Sequence, residues 1–399
     1  MRVTSPEANN SSRRRRLAFV AASASLVATF AASASPIPLY NTYRAAAGIT
    51  NADLSLTVVG YFVGTIGALL CLGRLSNHLG RRPASLLTLA LLAAGCLVLL
   101  RVPSIGPLVA GRFLMGLGAG LASSSLTSFI VDAAPARPAW VASVVTSQAP
   151  MLGLTIGALA SGSLTQYGPA PTITVYLAMI AGLVVCAGLI VASPETAAPA
   201  PGLLASLRPR VFLPPRARRL VPVAACVFVS TWAMGAFYQA FSPSIVADQL
   251  HSRNAVVVAL VFSAYMAPSV VGAPIGGRFR PATAQRLGMG IFLVGMAGIL
   301  GSLVAVTIVG FLIASVVAGA GQGIAVSASI RGLLHGTSPA ERAPVLAATY
   351  LLCYTGAMVP SLIAGQLSHA FSLVQLTLGY GALAVIATVV TLIGARDPD

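Results

Sequence analysis

Long runs without a charged residue dominate the chain, covering residues 17–43, 54–73, 83–100, 138–194, 220–247, 254–277, 287–330 and 343–395. A helix needs about 20 apolar residues to cross about 30 Å of hydrocarbon, so most of these runs predict one span each. Three are too long for a single helix. Residues 138–194 contain TQYGPAPT, a turn signal that divides them into a hairpin of two spans. Residues 287–330 divide in the same way near Gly301, and 343–395 near His369. Residues 107–131, which carry Arg112, supply one more span. The pattern predicts an all-α membrane protein with twelve transmembrane helices.

Composition agrees with this. The residues AVILMFWYC make up 57% of the chain, charged residues 8%, and the mean hydropathy is +0.88, whereas a soluble domain is about a quarter charged. A net charge of +16 and a pI near 10.8 would suit nucleic-acid binding, but the positions of the basic residues explain them without it. All 24 are arginines. With the N-terminus in the cytoplasm, only Arg44, Arg101 and Arg253 face outward and Arg112 lies within the membrane; the other 20 are cytoplasmic. The positive-inside rule then places both termini in the cytoplasm and the chain in the inner (plasma) membrane as an integral multi-pass protein. No nucleic acid is expected as a partner.

The first run follows Arg13 to Arg16 and is rich in Ala and Ser, as a secretory signal would be, but it continues without a charge to Tyr40. That length favours a retained span over a cleaved peptide. The five cysteines are scattered through apolar runs and read as packing residues, so neither a disulfide nor a metal is expected. With no lysine in the chain there is no Gly-rich phosphate loop ending in Lys, which excludes a built-in ATP motor of the usual kind. No cofactor is expected, and energy must come from a gradient or a partner.

The longest hydrophilic stretch, 194–219, is rich in Pro, Ala and Arg and divides the chain into a basic tail (1–16), a first half (17–193), a linker and a second half (220–399). The halves match at a constant offset: Gly73 with Gly276, Gly116 with Gly319, Gly118 with Gly321, Gly120 with Gly323, Gly153 with Gly356 and Gly162 with Gly365. A gap-free offset across four helices predicts two like-oriented six-helix bundles related by a pseudo-two-fold repeat, with a site at their interface.

The loop GRLSNHLGRRP between the second and third spans anchors the cytoplasmic face and, through Gly73 and Gly80, permits a tight turn. It resembles the loop signature of the major facilitator superfamily. Gly73, Gly80, Arg81 and Arg82 match; Asn77 stands where the superfamily usually has Asp, and His78 where it has a base. The resemblance implies the major facilitator fold and a cytoplasmic latch between Arg81 or Arg82 and Asp132, with Asn77 supplying a hydrogen bond in place of a charge.

In the fourth span, GRFLMGLGAGLASSSL, a lone arginine costs about 2.5–3.5 kcal/mol unless it finds water or a partner. Arg112 either snorkels to the outer surface or faces a cavity. Arg112, Gly116, Gly118 and Ala119 resemble the superfamily's fourth-span signature, whose arginine faces the central cavity and is associated with proton coupling. Pro150 and Gly153 in the fifth span resemble part of the antiporter motif, with Ala149 replacing its glycine; a Pro-kinked helix packed through Gly153 and Gly157 accounts for the same residues. Pro36 and Pro38 end the first span either as a plain terminator or as the Pro- and Tyr-rich mouth of the superfamily's drug exporters. Further candidates for a cavity are Tyr61, Gln148, Trp232, Tyr238, Gln239, Tyr265, Gln322, Tyr350 and Tyr354, each of which could equally anchor an interface or join helices.

The resemblance implies a secondary active transporter working by alternating access, in its drug:proton antiporter branch of multidrug and metabolite exporters. Uptake symport of a sugar, organic acid or amino acid is the alternative, and a non-transporting sensor or scaffold a remote one. An enzyme is not expected, because no catalytic groups converge within the membrane. None of the eight acids, Glu7, Asp53, Asp132, Glu195, Asp248, Glu341, Asp397 and Asp399, falls mid-span. A permanent cation would lack a carboxylate to offset its desolvation, so the expected substrate is a neutral or weakly anionic lipophilic solute. The expected partners are this small molecule, protons as a candidate coupling ion, and the lipid bilayer; a monomer is expected.

Overall fold

The computed structural model describes residues 6–135, 141–208 and 215–398. Twelve helices in it are long and apolar enough to cross a membrane. We number them α1 (Pro6–Ala34), α2 (Asn51–Gly67), α3 (Arg81–Leu99), α4 (Ile105–Ala133), α5 (Val141–Tyr167) and α6 (Pro171–Ala192). The second six are α7 (Val221–Ser244), α8 (Ala255–Met266, continued by Ser269–Gly276), α9 (Pro281–Val304), α10 (Ile308–Leu334), α11 (Pro339–Leu367) and α12 (Leu373–Gly394). They form two six-helix bundles. Arg137 and Arg210, two of the basic residues that orient the chain, lie outside the described residues.

Local chemistry sets the ends. Thr50 and Asp53 form a reciprocal capping box at the start of α2, with Asp53 Oδ2 accepting from the Thr50 amide at 2.9 Å. Ser372 and Gln375 do the same for α12. After α1 the chain breaks at Pro36, makes a short 3-10 turn (Ile37–Leu39) and resumes as a helix (Tyr40–Ala47). Pro268 interrupts α8 in the same manner.

The helix of the first span, described from Pro6, runs without a break to Ala34, so Arg13 to Arg16 are helical. One expected boundary moves. The break expected near Gly301 falls at Ala305–Thr307, with Val306 at φ 53. Glycine is tolerated inside membrane helices, and α9 goes on to bury Leu303 before it turns.

The repeat is visible in the packing. A Cβ on Gly116 would collide with the Tyr61 backbone, joining α4 to α2, and one on Gly319 would collide with the Tyr265 backbone, joining α10 to α8. The bundles also meet through a related pair. Gly162 of α5 packs on Ala255 and Ala259 of α8, while Gly365 of α11 packs on Ala52 and Ser55 of α2. Both contacts lie toward the arginine-poor face. There Arg44 also pairs with Asp248 at 2.8 Å, Asn41 donates to the Pro243 carbonyl at 3.0 Å, and Ser244 donates to Asn51 Oδ1 at 2.6 Å. Small residues let backbones approach where no hydrophobic effect drives helices together, so this face is closed by direct helix contact.

Candidate substrate site

Arg112 sits in the glycine-rich part of α4 with its side chain fully buried. Its Nη1 donates to the Ser33 carbonyl of α1 at 2.5 Å, and its Nη2 donates to Gln239 Oε1 of α7 at 3.1 Å. The guanidinium carbon lies 4.5 Å from the centre of the Tyr61 ring of α2. A hydrogen bond to a charged group contributes about 1.5–3 kcal/mol, and a desolvated cation–π contact about 2. Together these exceed the cost of about 2.5–3.5 kcal/mol of placing arginine mid-membrane. The side chain is held between helices and does not snorkel. Every partner is neutral: the ion pairs among the described residues are Arg44–Asp248 and Arg81–Asp132.

Beside Arg112 runs a row of aromatic rings from both bundles. Tyr61 meets Phe62 at 5.5 Å between centroids, Phe62 meets Tyr354 of α11 at 5.7 Å, and Tyr354 meets Trp232 of α7 at 5.1 Å and Tyr350 at 6.1 Å. Among the described residues, Arg112 Nε, Trp232 Nε1 and Gln322 Oε1 are buried without a hydrogen-bond partner. Such atoms each leave about 1–3 kcal/mol of desolvation uncompensated, which a ligand could recover.

The remaining candidates lie elsewhere. Tyr238 turns into the second bundle, stacking on Tyr265 at 4.8 Å and bonding Ser315 Oγ at 2.5 Å; Tyr265 donates to the Thr231 carbonyl. Gln148 bonds its neighbour Ser147, in an exposed setting on α5. Gly153 and Gly157, both after Pro150 in α5, pack this helix against Val27, Phe30 and Ala31 of α1.

On the arginine-rich face, Gly73 follows a π-helical turn (Ala68–Leu72), and Gly80 adopts φ 97 at the entry to α3. Arg81 Nε meets Asp132 Oδ2 at 2.7 Å, and its Nη1 donates to Asn77 Oδ1 at 2.7 Å and Ser76 Oγ at 2.8 Å. Arg82 instead donates to the Val191 carbonyl of α6 at 2.5 Å, since adjacent helical residues point about 100° apart. Asn77 thus supports Arg81 as an acceptor. The pair joins α3 to α4 within the first bundle; the loop's contacts onward are to the linker, Arg74 reaching the Ser206 and Arg208 carbonyls and His78 those of Ala200 and Pro201. Glu195 accepts from the Arg81 and Arg82 amides at 2.8 and 2.9 Å, placing a carboxylate at the N-terminus of α3.

The sequence profile of the Major Facilitator Superfamily matches residues 17–360. The chain belongs to this superfamily. Its members are transporters, not enzymes, and the chain is an integral multi-pass membrane protein. The multidrug transporter MdfA of Yersinia pestis bv. Antiqua (strain Angola) and that of strain D106004 are each 30% identical to it over 141 residues, 35% of this chain. The match spans about a third, 34%, of those relatives' length. The crystal structure of a D-xylose-proton symporter superposes with a TM-score of 0.73 at 14% identity, covering 96% of this chain and 98% of the other. At that identity the likeness concerns the fold alone.

Sequence reasoning missed Ser33, Phe62 and Glu195. Ser33 acts through its backbone carbonyl, which no side-chain pattern reveals. Phe62 is one apolar residue in an apolar run, and Glu195 looked like any acid of a solvated linker. The partners Arg44 and Asp248 carried a usable signal: opposite charges on one face, one in each half.

Proposed function

We propose that the chain is a secondary active transporter that exports small neutral or weakly anionic lipophilic solutes by alternating access. The observation that carries this reading is the neutral partner set of the buried Arg112. Its charge is solvated by a carbonyl, an amide oxygen and a ring face, so an anion or a solute carbonyl improves its environment, whereas a cation worsens it. A solute acceptor that takes Nη2 from Gln239 removes a hydrogen bond between the bundles, which ties binding to their rocking. The aromatic row of Tyr61, Phe62, Tyr354, Trp232 and Tyr350 offers the apolar wall.

Export is supported by the partial likeness to transporters named for multidrug transport. In this reading both termini are cytoplasmic, the bundles at 17–193 and 220–399 move as units about the linker at 194–219, and the protein acts as a monomer in the inner membrane. The Arg81–Asp132 pair, propped by Asn77, holds the loop whose contacts with the linker serve as the latch of the cytoplasmic face. Asp53 is engaged in a capping box, and Asp132 and Asp248 in ion pairs, which favours proton coupling through the solute's own ionisable group. The test is saturable flux by purified protein in vesicles, lost in a folded Arg112→Ala variant; undiminished flux in that variant removes Arg112 from the mechanism.

A further inference from the structure

A cavity of about 310 Å³ opens between α11 and α12 toward the arginine-poor face, far along both helices from the cytoplasmic loop of Arg81. Pro360, Leu367, Phe371, Gly379, Tyr380 and Leu383 are among the residues that bound it. This volume is at the lower end of the range for small-molecule pockets, about 300–1,000 Å³. Its rim belongs to the surface that faces lipid: Ile363 is 53%, Leu367 42% and Phe371 46% exposed. Among the described residues no charged side chain lines it.

Two features separate it from an ordinary groove between helices. Gly379 is exposed and nothing lies within 4 Å of where a Cβ would stand, so the pocket is open on this side. Next to it, Tyr380 is only 6% exposed, and its hydroxyl has no hydrogen-bond partner among the described residues. A buried tyrosine hydroxyl ordinarily finds a partner, and leaving one without costs about 1–3 kcal/mol. The Tyr380 ring is fixed by Phe237 of α7, at 4.7 Å between centroids. The pocket therefore combines an apolar channel, a lipid-exposed mouth and one fixed, unused donor.

We propose that this pocket holds one acyl chain of a glycerophospholipid from the arginine-poor leaflet, with an ester carbonyl of that lipid accepting from the Tyr380 hydroxyl. The pocket is apolar and its mouth faces lipid, so the acceptors that an occupant can bring to this hydroxyl are the ester oxygens of lipid. Tyr380 stands seven residues, roughly 10 Å, below the start of α12, and helix side chains lean toward the N-terminus. Both place the hydroxyl near the layer where acyl chain and ester meet. The bound chain lies one ring from α7, and Phe237 is two residues from Gln239, the partner of Arg112.

The test uses the full chain in phosphatidylcholine vesicles containing a trace of a diacyl phosphatidylcholine with a diazirine midway along one acyl chain. After photolysis, peptides from 360–383 should carry several times the label of peptides from α6, which also exposes large apolar residues to lipid. Gly379→Trp, which fills open space, should abolish the excess. Tyr380→Phe keeps the buried ring and its contact with Phe237 and should lower the excess about fivefold, the effect of one hydrogen bond. Equal labelling of α6 and α12, or an undiminished excess in Gly379→Trp, overturns the proposal. So does displacement of the label by a lipophilic drug but not by excess unlabelled phosphatidylcholine, because the occupant would then be a solute.

Discussion

Replacing Gly162 by alanine should loosen the closed, arginine-poor face of the protein. The added Cβ would stand 2.6 Å from Ala259 Cβ and 2.8 Å from the Ala255 carbonyl oxygen. Carbon atoms settle at about 3.5–4.0 Å, so α5 and α8 must part by about 1 Å. Overpacking of this kind costs about 1–3 kcal/mol, and that strain disappears in any conformation that separates the bundles at this face. The population open there should rise by a factor of about 5–150. Gly365→Ala, which strains the related contact of α11 on Ser55 and Ala52, should act in the same direction, and roughly additively because the two contacts are on separate helix pairs. The assay is electron–electron resonance between nitroxides at Thr42 and His251, exposed residues of the two bundles at this face, in a cysteine-free background. Gly153→Ala should strain α5 against α1 within one bundle and lower stability without lengthening that distance. Gly188→Ala, which meets open space, should change neither. A folded Gly162→Ala protein with the wild-type distance distribution would refute the reasoning.

Asp248→Asn removes an ion pair whose side chains are 25% and 45% exposed, so the same nitroxide distance should lengthen only modestly, by a shift of about 0.2–1 kcal/mol that shrinks further in high salt. Asp132→Asn leaves Arg81 with neutral acceptors and should cost about 1 kcal/mol; label pairs across the arginine-rich face should then shift toward longer distances, and an unchanged distribution would exclude a latch. Gly80→Ala puts a side chain at φ 97, 2.8 Å from Glu195 Oε2, and should lower the melting temperature by more than the nearby Glu195→Gln does.

The spans were legible because the bilayer imposes a length and forbids charge, so uninterrupted runs and TQYGPAPT located helices with little help from packing. Gly301 misled because a glycine that marks a turn in water is an ordinary residue inside a membrane helix. Arg112 was conspicuous for the same reason the spans were: charge in hydrocarbon has a cost that sequence alone exposes. Its surroundings were less legible. Gln239 and Tyr238 are adjacent and equally suggestive in sequence, yet helix geometry turns the first to Arg112 and the second into the interior of its own bundle. Backbone acceptors such as the Ser33 carbonyl have no signature at all, and the contact of Tyr354 with Phe62 depends on how two bundles dock, which no local pattern encodes.

The central claim is that an arginine with only neutral partners makes this a transporter of neutral or weakly anionic solutes. It is tested most directly by saturable flux into vesicles of three matched aromatic compounds, one neutral, one carboxylated and one quaternary ammonium, carried by the wild-type protein and by Arg112→Ala. The account predicts transport of the neutral and anionic compounds, little of the quaternary one, and loss of both activities in the variant. Robust saturable flux of the quaternary compound alone would contradict it.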